Sequence, residues 1–112
     1  MWNPIISSEV RSMFDKKISK TTRESHIEKK VTEYAKTQNW LAFKWVSPSQ
    51  RWVPDRLYFK EGEVKLIEFK ALGKTPTRGQ SMVHKMLRKA GFEVDVVDNI
   101  EQGVLLFAPS VE

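Results

Sequence analysis

The chain has 112 residues, a length that suits one domain with one modest core. Hydrophobic residues make up 40% and charged residues 29%, which is the composition of an ordinary globular protein. The net charge of +5 favours an anionic partner such as nucleic acid or an acidic membrane surface. Because the chain has no cysteine, a disulfide framework and a thiolate metal site are both excluded.

The N-terminal region shows no signal-peptide pattern, and no apolar run in the chain reaches the ~18 residues that a membrane span needs. We therefore expect a soluble protein of the cytoplasm, with no membrane partner. Residues 1–22 mix apolar and charged side chains and predict an N-terminal arm or short helix, packed on the body or on a partner subunit. Residues 23–112 form the predicted domain.

The first clear element is an amphipathic helix. Thr21 and Glu24 have the spacing of a capping box. Apolar residues then recur at helical spacing, at Ile27, Val31, Tyr34 and Ala35. The pattern predicts a helix over 23–38, on which Glu24 and Glu28 lie on one face, one turn apart.

Three strands are predicted to follow this helix. "WLAFKWV", residues 40–46, is aromatic and β-prone, and Ser47-Pro48-Ser49 ends it. "RLYFK" and "VKLIEFK" then flank Glu61-Gly62-Glu63, which indicates an antiparallel hairpin.

A second helix and two further strands complete the predicted order. The helix covers 77–90, with an apolar seam at Val83, Leu87 and Ala90 and a C-terminal stop at Gly91. "FEVDVV" and "GVLLFA" are predicted as strands, joined by the polar turn "DNIEQG". The sequence thus predicts helix, three strands, helix and two strands.

The hairpin brings together residues suited to metal-dependent chemistry. Glu68 and Lys70 are two apart at the end of an apolar strand, so their side chains point the same way. A turn at Glu61-Gly62 places Asp55, at the start of the preceding strand, beside Glu68. Two converging carboxylates suit Mg²⁺ or Mn²⁺, whereas zinc is a poor fit in a chain with two histidines and no cysteine. Lys70 would then steady a water molecule or the charge that develops on a phosphate.

This arrangement resembles the PD-(D/E)XK nuclease superfamily and, within it, the VRR-NUC family of small phage-type and repair-associated nucleases. The resemblance runs from about residue 23 to the C-terminus and is carried by the following segments: "ESHIEKKV", "KWVSP", "VPDRL", "IEFKALG", "TPTRGQ" and "LRKAGFEVDVVD". It implies an α/β fold with a restriction-endonuclease-like αβββαβ core, in which helices flank a mixed β-sheet.

By position, the resemblance also implies roles for individual residues. Asp55, Glu68 and the backbone carbonyl of Phe69 would bind Mg²⁺ or Mn²⁺. Glu28 would approach the metal, most simply through water, with Glu24 as the weaker candidate. Lys70 would be the catalytic lysine. Gln80 would orient the water, the lysine or the scissile phosphate.

Several residues around this predicted site have open roles. Basic residues that could contact DNA phosphates flank it in the sequence: Arg51, Arg56, Lys74, Arg78, Lys85, Arg88 and Lys89. His84 follows Gln80 by one helical turn, and the simpler interpretation is a half-exposed helix residue. Trp52 stands where the family commonly has glycine, and it could stack on a base or sugar or fill a dimer contact.

The sequence therefore predicts a metal-dependent DNA endonuclease. Standalone VRR-NUC domains resemble dimeric, structure-specific nucleases, which implies a homodimer that cuts branched DNA and above all the two-fold symmetric four-way (Holliday) junction. Two alternatives stay open: a flap or nicking nuclease of the same chemistry, and a non-catalytic nucleic-acid-binding domain. By family analogy alone, the small size also suggests a phage or prophage source in a bacterial host.

Overall fold

A computed structural model describes residues 23–109, so the predicted N-terminal arm lies outside the described residues. In chain order the elements are α1 (Glu24–Thr37), β1 (Leu41–Lys44), β2 (Arg56–Lys60), β3 (Glu63–Phe69), α2 (Arg78–Lys89), β4 (Val94–Val97) and α3 (Ile100–Phe107). Helix α1 begins one residue later than predicted, and its N-cap is Arg23 rather than Thr21. The fold is α/β, as predicted.

The strands form one mixed sheet in the order β1-β2-β3-β4. Strands β1, β2 and β3 are antiparallel, whereas β4 runs parallel to β3. The predicted hairpin between β2 and β3 is present, and its turn residues Glu61 and Gly62 have φ values of 48° and 79°. Two residues with positive φ give a turn whose twist matches that of the paired strands. This turn fixes the register in which Arg56 lies opposite Ile67.

The main core lies on one face of the sheet, between the strands and helices α1 and α3. It contains Tyr58, Ile67, Phe69 and Val97 from the strands and Ile27, Val31, Val104 and Phe107 from the helices. The ring of Phe107 packs on those of Trp40 and Tyr58, with centroid distances of 5.3 and 4.7 Å. Helix α2 packs on the opposite face, where Val83 and His84 are buried.

The last element is a helix, so the prediction of a strand over "GVLLFA" was wrong. Asn99 is the N-cap of α3, and its side-chain oxygen accepts a hydrogen bond from the Gln102 backbone N–H at 2.7 Å. The buried residues Ile100, Gly103, Val104 and Phe107 follow helical spacing. A Cβ at position 103 would overlap the Val31 side chain, so glycine allows α3 to approach α1 closely. Tertiary packing therefore outweighs the β-prone composition of this segment.

Within residues 23–109, no helix is long and apolar enough to cross a membrane.

Candidate active site

The β2–β3 hairpin brings Asp55 to the end of β3. Asp55 immediately precedes β2, and its Oδ2 accepts a hydrogen bond from the backbone N–H of Phe69 at 2.7 Å. Since Arg56 pairs with Ile67, Asp55 lies across from Glu68. The structure thus brings together the two carboxylates whose proximity the hairpin register predicted.

The N-terminus of α2 holds the Glu68 carboxylate from the other side. Thr77 and Gln80 form a capping box, in which the Gln80 backbone N–H donates to Thr77 Oγ1 and the Thr77 N–H donates to Gln80 Oε1, at 3.2 and 2.9 Å. The capping box uses the Oε1 atom of the Gln80 side chain, and the Nε2 atom donates a hydrogen bond to Glu68 Oε2 at 3.2 Å. Gln80 therefore couples the start of the helix to the site. The "TRGQ" segment carried this capping-box signal in the sequence, but its link to Glu68 depends on tertiary packing.

His84 is a buried part of the same cluster, not the half-exposed residue that the sequence favoured. Only 1% of its surface is exposed, and its Nε2 lies 3.4 Å from Glu68 Oε1. Burial, together with the positive charges of Arg88 and Lys70, lowers the pKa of His84. A neutral imidazole is therefore favoured, and it contacts Glu68 through a hydrogen bond rather than an ion pair.

Glu68 lies at the centre of the site and is 1% exposed. Burial raises its pKa to about 8, and the nearby Asp55 carboxylate acts in the same direction, against a smaller lowering by Lys70. A buried carboxyl beside a second carboxylate resists ionisation unless a positive charge approaches. In this environment Glu68 retains a proton near neutral pH.

The two glutamates of α1 have different surroundings. Burial raises the pKa of Glu24, with further contributions from the charges of Asp55 (raising) and Lys70 (lowering). Glu28 instead accepts a hydrogen bond from Arg56 Nε at 2.7 Å, and both of these side chains are largely buried. The assignment of Glu28 to the metal site stays a prediction, and its ion pair with Arg56 leaves Glu24 as the more exposed of the two carboxylates.

The donor set at the end of β3 has the chemistry that a hard divalent cation requires. Asp55 and Glu68 supply carboxylates, Glu24 lies within electrostatic reach, and the Phe69 carbonyl belongs to the same strand end. Within residues 23–109 no three His, Asp or Glu side chains are already arranged as a metal-binding group. The raised pKa of Glu68 fits a cation in this position, because the cation would replace its proton.

The basic residues predicted to bind DNA fall into two groups. Six of the seven are exposed: Arg51, Lys74, Arg78, Lys85, Arg88 and Lys89. Arg56 is tied to Glu28 between α1 and β2, so its charge is already compensated within the protein. The exposed basic side chains are available for phosphate contacts.

Known proteins resemble this chain in sequence and in fold. No protein-family model matches the chain. "Putative nuclease p44" of Acyrthosiphon pisum secondary endosymbiont phage 1 is 36% identical over 85 residues, which cover 75% of this chain and 91% of the relative. A solved structure described as a VRR_NUC domain superposes with a TM-score of 0.70 and 26% identity, over 76% of this chain and 94% of that one. A VRR_NUC domain protein with 19% identity shares the fold, with a TM-score of 0.66 over 78% of this chain and 86% of its own.

The p44 nuclease matches most of this chain in sequence, and both solved structures share the architecture of this chain. Three of the segments that carry the resemblance, "VPDRL", "IEFKALG" and "TPTRGQ", bring Asp55, Glu68 and Gln80 together at the end of β3 and the start of α2. The chain therefore belongs to the VRR-NUC family of nucleases.

Proposed function

We propose that this nuclease is a DNA endonuclease that depends on Mg²⁺ or Mn²⁺ and hydrolyses phosphodiester bonds. The observation that carries the proposal is the Glu68 carboxyl, which is buried between Asp55, Gln80 and His84 at the strand end that leads to Lys70. A buried carboxyl held by hydrogen bonds and facing another carboxylate is costly to maintain without a function.

Each residue of the cluster has a distinct task in this proposal. Asp55, Glu68 and the Phe69 carbonyl would hold the cation, which supplies Lewis-acid stabilisation of phosphate charge when bound. Gln80 and His84 fix the two Glu68 oxygens, which keeps the carboxylate oriented. Lys70 directs its ammonium group to the attacking water and the phosphate. The N-terminus of α2 adds attraction for the phosphate itself.

Glutamine substitutions at Glu24 and Glu28 should separate catalysis from stability. We expect Glu24→Gln to slow cleavage by about 10–100-fold, because a charge beside the cation is lost. Glu28→Gln should slow it less but should lower the free energy of unfolding by about 1 kcal/mol, because a neutral amide replaces the carboxylate that pairs with the Arg56 guanidinium. Cleavage rates and urea unfolding of both variants test this. A larger catalytic loss in Glu28→Gln, with stability unchanged, would instead place Glu28 at the metal.

A homodimer is proposed because of an apolar patch on the sheet face that also carries Glu68. The patch consists of Leu41 and Phe43 on β1 and Leu57 and Phe59 on β2, which the register places side by side. Leu41 and Phe43 are 61% and 53% exposed, and the Phe43 and Phe59 rings lie 6.0 Å apart. Burial of such a patch against a second copy would relate two active sites by a two-fold axis.

A two-fold pair of sites matches the symmetry of a four-way DNA junction, which is the substrate we propose. The phage source of the p44 relative supports a phage or prophage origin and action in the cytoplasm of a bacterial host. A flap or nicking nuclease would keep the same site chemistry with a different choice of DNA. A non-catalytic binding domain is disfavoured, because unneutralised carboxylates in the DNA-binding groove would repel the phosphates.

The decisive experiment compares labelled four-way junction, flap and duplex in EDTA, Mg²⁺ or Mn²⁺. Wild type should introduce symmetric nicks near the branch point of the junction with either metal and none in EDTA. Asp55→Asn is the control, because asparagine retains an oxygen that can accept the Phe69 N–H but loses the charge. Sedimentation of wild type and Phe43→Asp tests whether the patch forms the dimer.

Tight binding with no cleavage of any substrate would favour the binding domain. Cleavage of the flap alone would retain the chemistry and reject the junction. A monomeric wild type would reject the dimer.

A further inference from the structure

Trp52 has an unusual backbone conformation. Its φ is 67°, in the left-handed region that bulky residues rarely adopt unless the surrounding structure holds them there. Two other non-glycine residues among 23–109 have positive φ, and both have a local reason: Asn39 follows α1 and Glu61 forms the hairpin turn. Trp52 lies in the loop between β1 and β2, three residues before Asp55.

The ring of Trp52 is held against Gly79 in the first turn of α2. A Cβ at position 79 would overlap the indole at Cε2 and Cδ2. Glycine in a helix is unfavourable relative to alanine, and close approach of the indole explains its presence here. Trp52 thus connects the loop that carries Asp55 to the helix turn that carries Gln80.

Part of this ring remains open to solvent. Trp52 is 39% exposed, and the Arg51 guanidinium carbon lies 4.8 Å from the ring centroid. An exposed indole with a cation beside it is suited to contact a nucleobase and the adjoining phosphate. The ring contacts the helix turn that carries Gln80 and lies three residues before Asp55, so a nucleotide bound on it would neighbour the one that is cut.

We propose that Trp52 stacks on a base face exposed at a DNA branch point, beside the cleaved phosphodiester, and thereby favours branched DNA over continuous duplex. In a continuous duplex each base face is covered by its neighbours, whereas a branch point exposes one. The inference rests on the proposed function and adds the residue that selects the substrate. Arg51 contributes the phosphate contact.

Variants at position 52 test the contact without disturbing the backbone. Trp52→Gly removes the ring and suits the left-handed conformation, whereas Trp52→Phe keeps an aromatic face. Gly79→Ala retains the indole but displaces it. Phe92→Ala is a matched control, because Phe92 is a 49% exposed aromatic beyond the opposite end of α2. Thermal melting of each variant confirms that it is folded.

Two readouts are measured: junction and duplex cleavage rates with Mg²⁺, and fluorescence of 2-aminopurine at the branch point in EDTA. Trp52→Gly and Gly79→Ala should lower the ratio of junction to duplex cleavage rates about 10–100-fold, whereas Trp52→Phe and Phe92→Ala should keep this ratio near the wild-type value. Wild type, Trp52→Phe and Phe92→Ala should quench the 2-aminopurine, and Trp52→Gly should not.

The outcomes separate this inference from the proposed function. A wild type that cuts no DNA but quenches the 2-aminopurine through Trp52 would reject the endonuclease and support stacking. If Trp52→Gly cuts the junction as fast as wild type and quenches the 2-aminopurine equally, the stacking proposal is rejected and the endonuclease proposal stands. If Trp52→Gly instead dissociates a dimer in sedimentation and leaves quenching intact, Trp52 is a subunit contact and the inference is overturned.

Discussion

Replacing Lys70 with alanine should reduce DNA cleavage by about 100–1,000-fold while leaving DNA binding nearly unchanged. Lys70 follows β3, and its backbone N–H donates to the Val97 carbonyl at 2.9 Å, which fixes the main chain beside β4. Lys70 is two residues after Glu68, so the two side chains point to the same side of the sheet, and the charge of Lys70 lowers the pKa of both Glu24 and Glu68. Loss of this group would remove transition-state stabilisation but only one of many positive charges that attract DNA.

The matched control for this prediction is Lys36→Ala, which removes the same charge from the exposed last turn of α1. It should leave the cleavage rate unchanged. Lys70→Arg should recover little activity, because the planar guanidinium group cannot occupy the position of a compact ammonium. Single-turnover cleavage with saturating Mg²⁺, together with fluorescence anisotropy in EDTA, separates the two effects. Cleavage by Lys70→Ala within a few-fold of wild type would remove Lys70 from the chemistry.

The sheet and its hairpin were predictable from the sequence because local signals agree there. Alternating apolar residues, a Gly62 turn and a two-residue connection set one register, and that register alone brings Asp55 to Glu68. The strand prediction over "GVLLFA" was wrong because the β-prone composition of this segment conflicts with the helical spacing of its buried residues. The close contact of Gly103 with Val31, which joins residues far apart in sequence, favours the helix.

Side-chain partners were harder to predict than the elements that carry them. Glu24 and Glu28 share a helix face, so the sequence alone could not show that Arg56 binds one of them. Trp52 is similar: the sequence showed an aromatic where the family commonly has glycine. Only the structure shows the left-handed backbone, which suits glycine, and the Gly79 surface that holds the indole. These interactions depend on how helices are rotated against the sheet.

Stability of the metal-free protein should fall as pH rises from about 6.5 to 8, and Glu68 should cause much of the fall. Its pKa is about 8 in the folded protein and 4.5 as the ordinary value, so the folded state binds this proton more tightly. Between these values unfolding releases a proton, and a higher pH therefore favours unfolding, with a limiting slope of ~1.4 kcal/mol per pH unit. His84, whose pKa is lowered, has the opposite effect, but only below about its ordinary value of 6.5.

Glu68→Gln isolates this contribution, because glutamine has a similar shape and no proton to lose. In urea unfolding with EDTA, the variant should show a shallower decline in the free energy of unfolding over pH 6.5–8. Groups distant from Glu68 titrate alike in both proteins, so the difference between the two curves reports on Glu68 and the neighbours that interact with it. Added Mn²⁺ should stabilise wild type more at pH 8 than at pH 6, since the cation competes with the Glu68 proton, and should stabilise Glu68→Gln weakly at both. Parallel curves in EDTA would mean that Glu68 is already ionised in the folded protein, and its buried position would then require another source of positive charge.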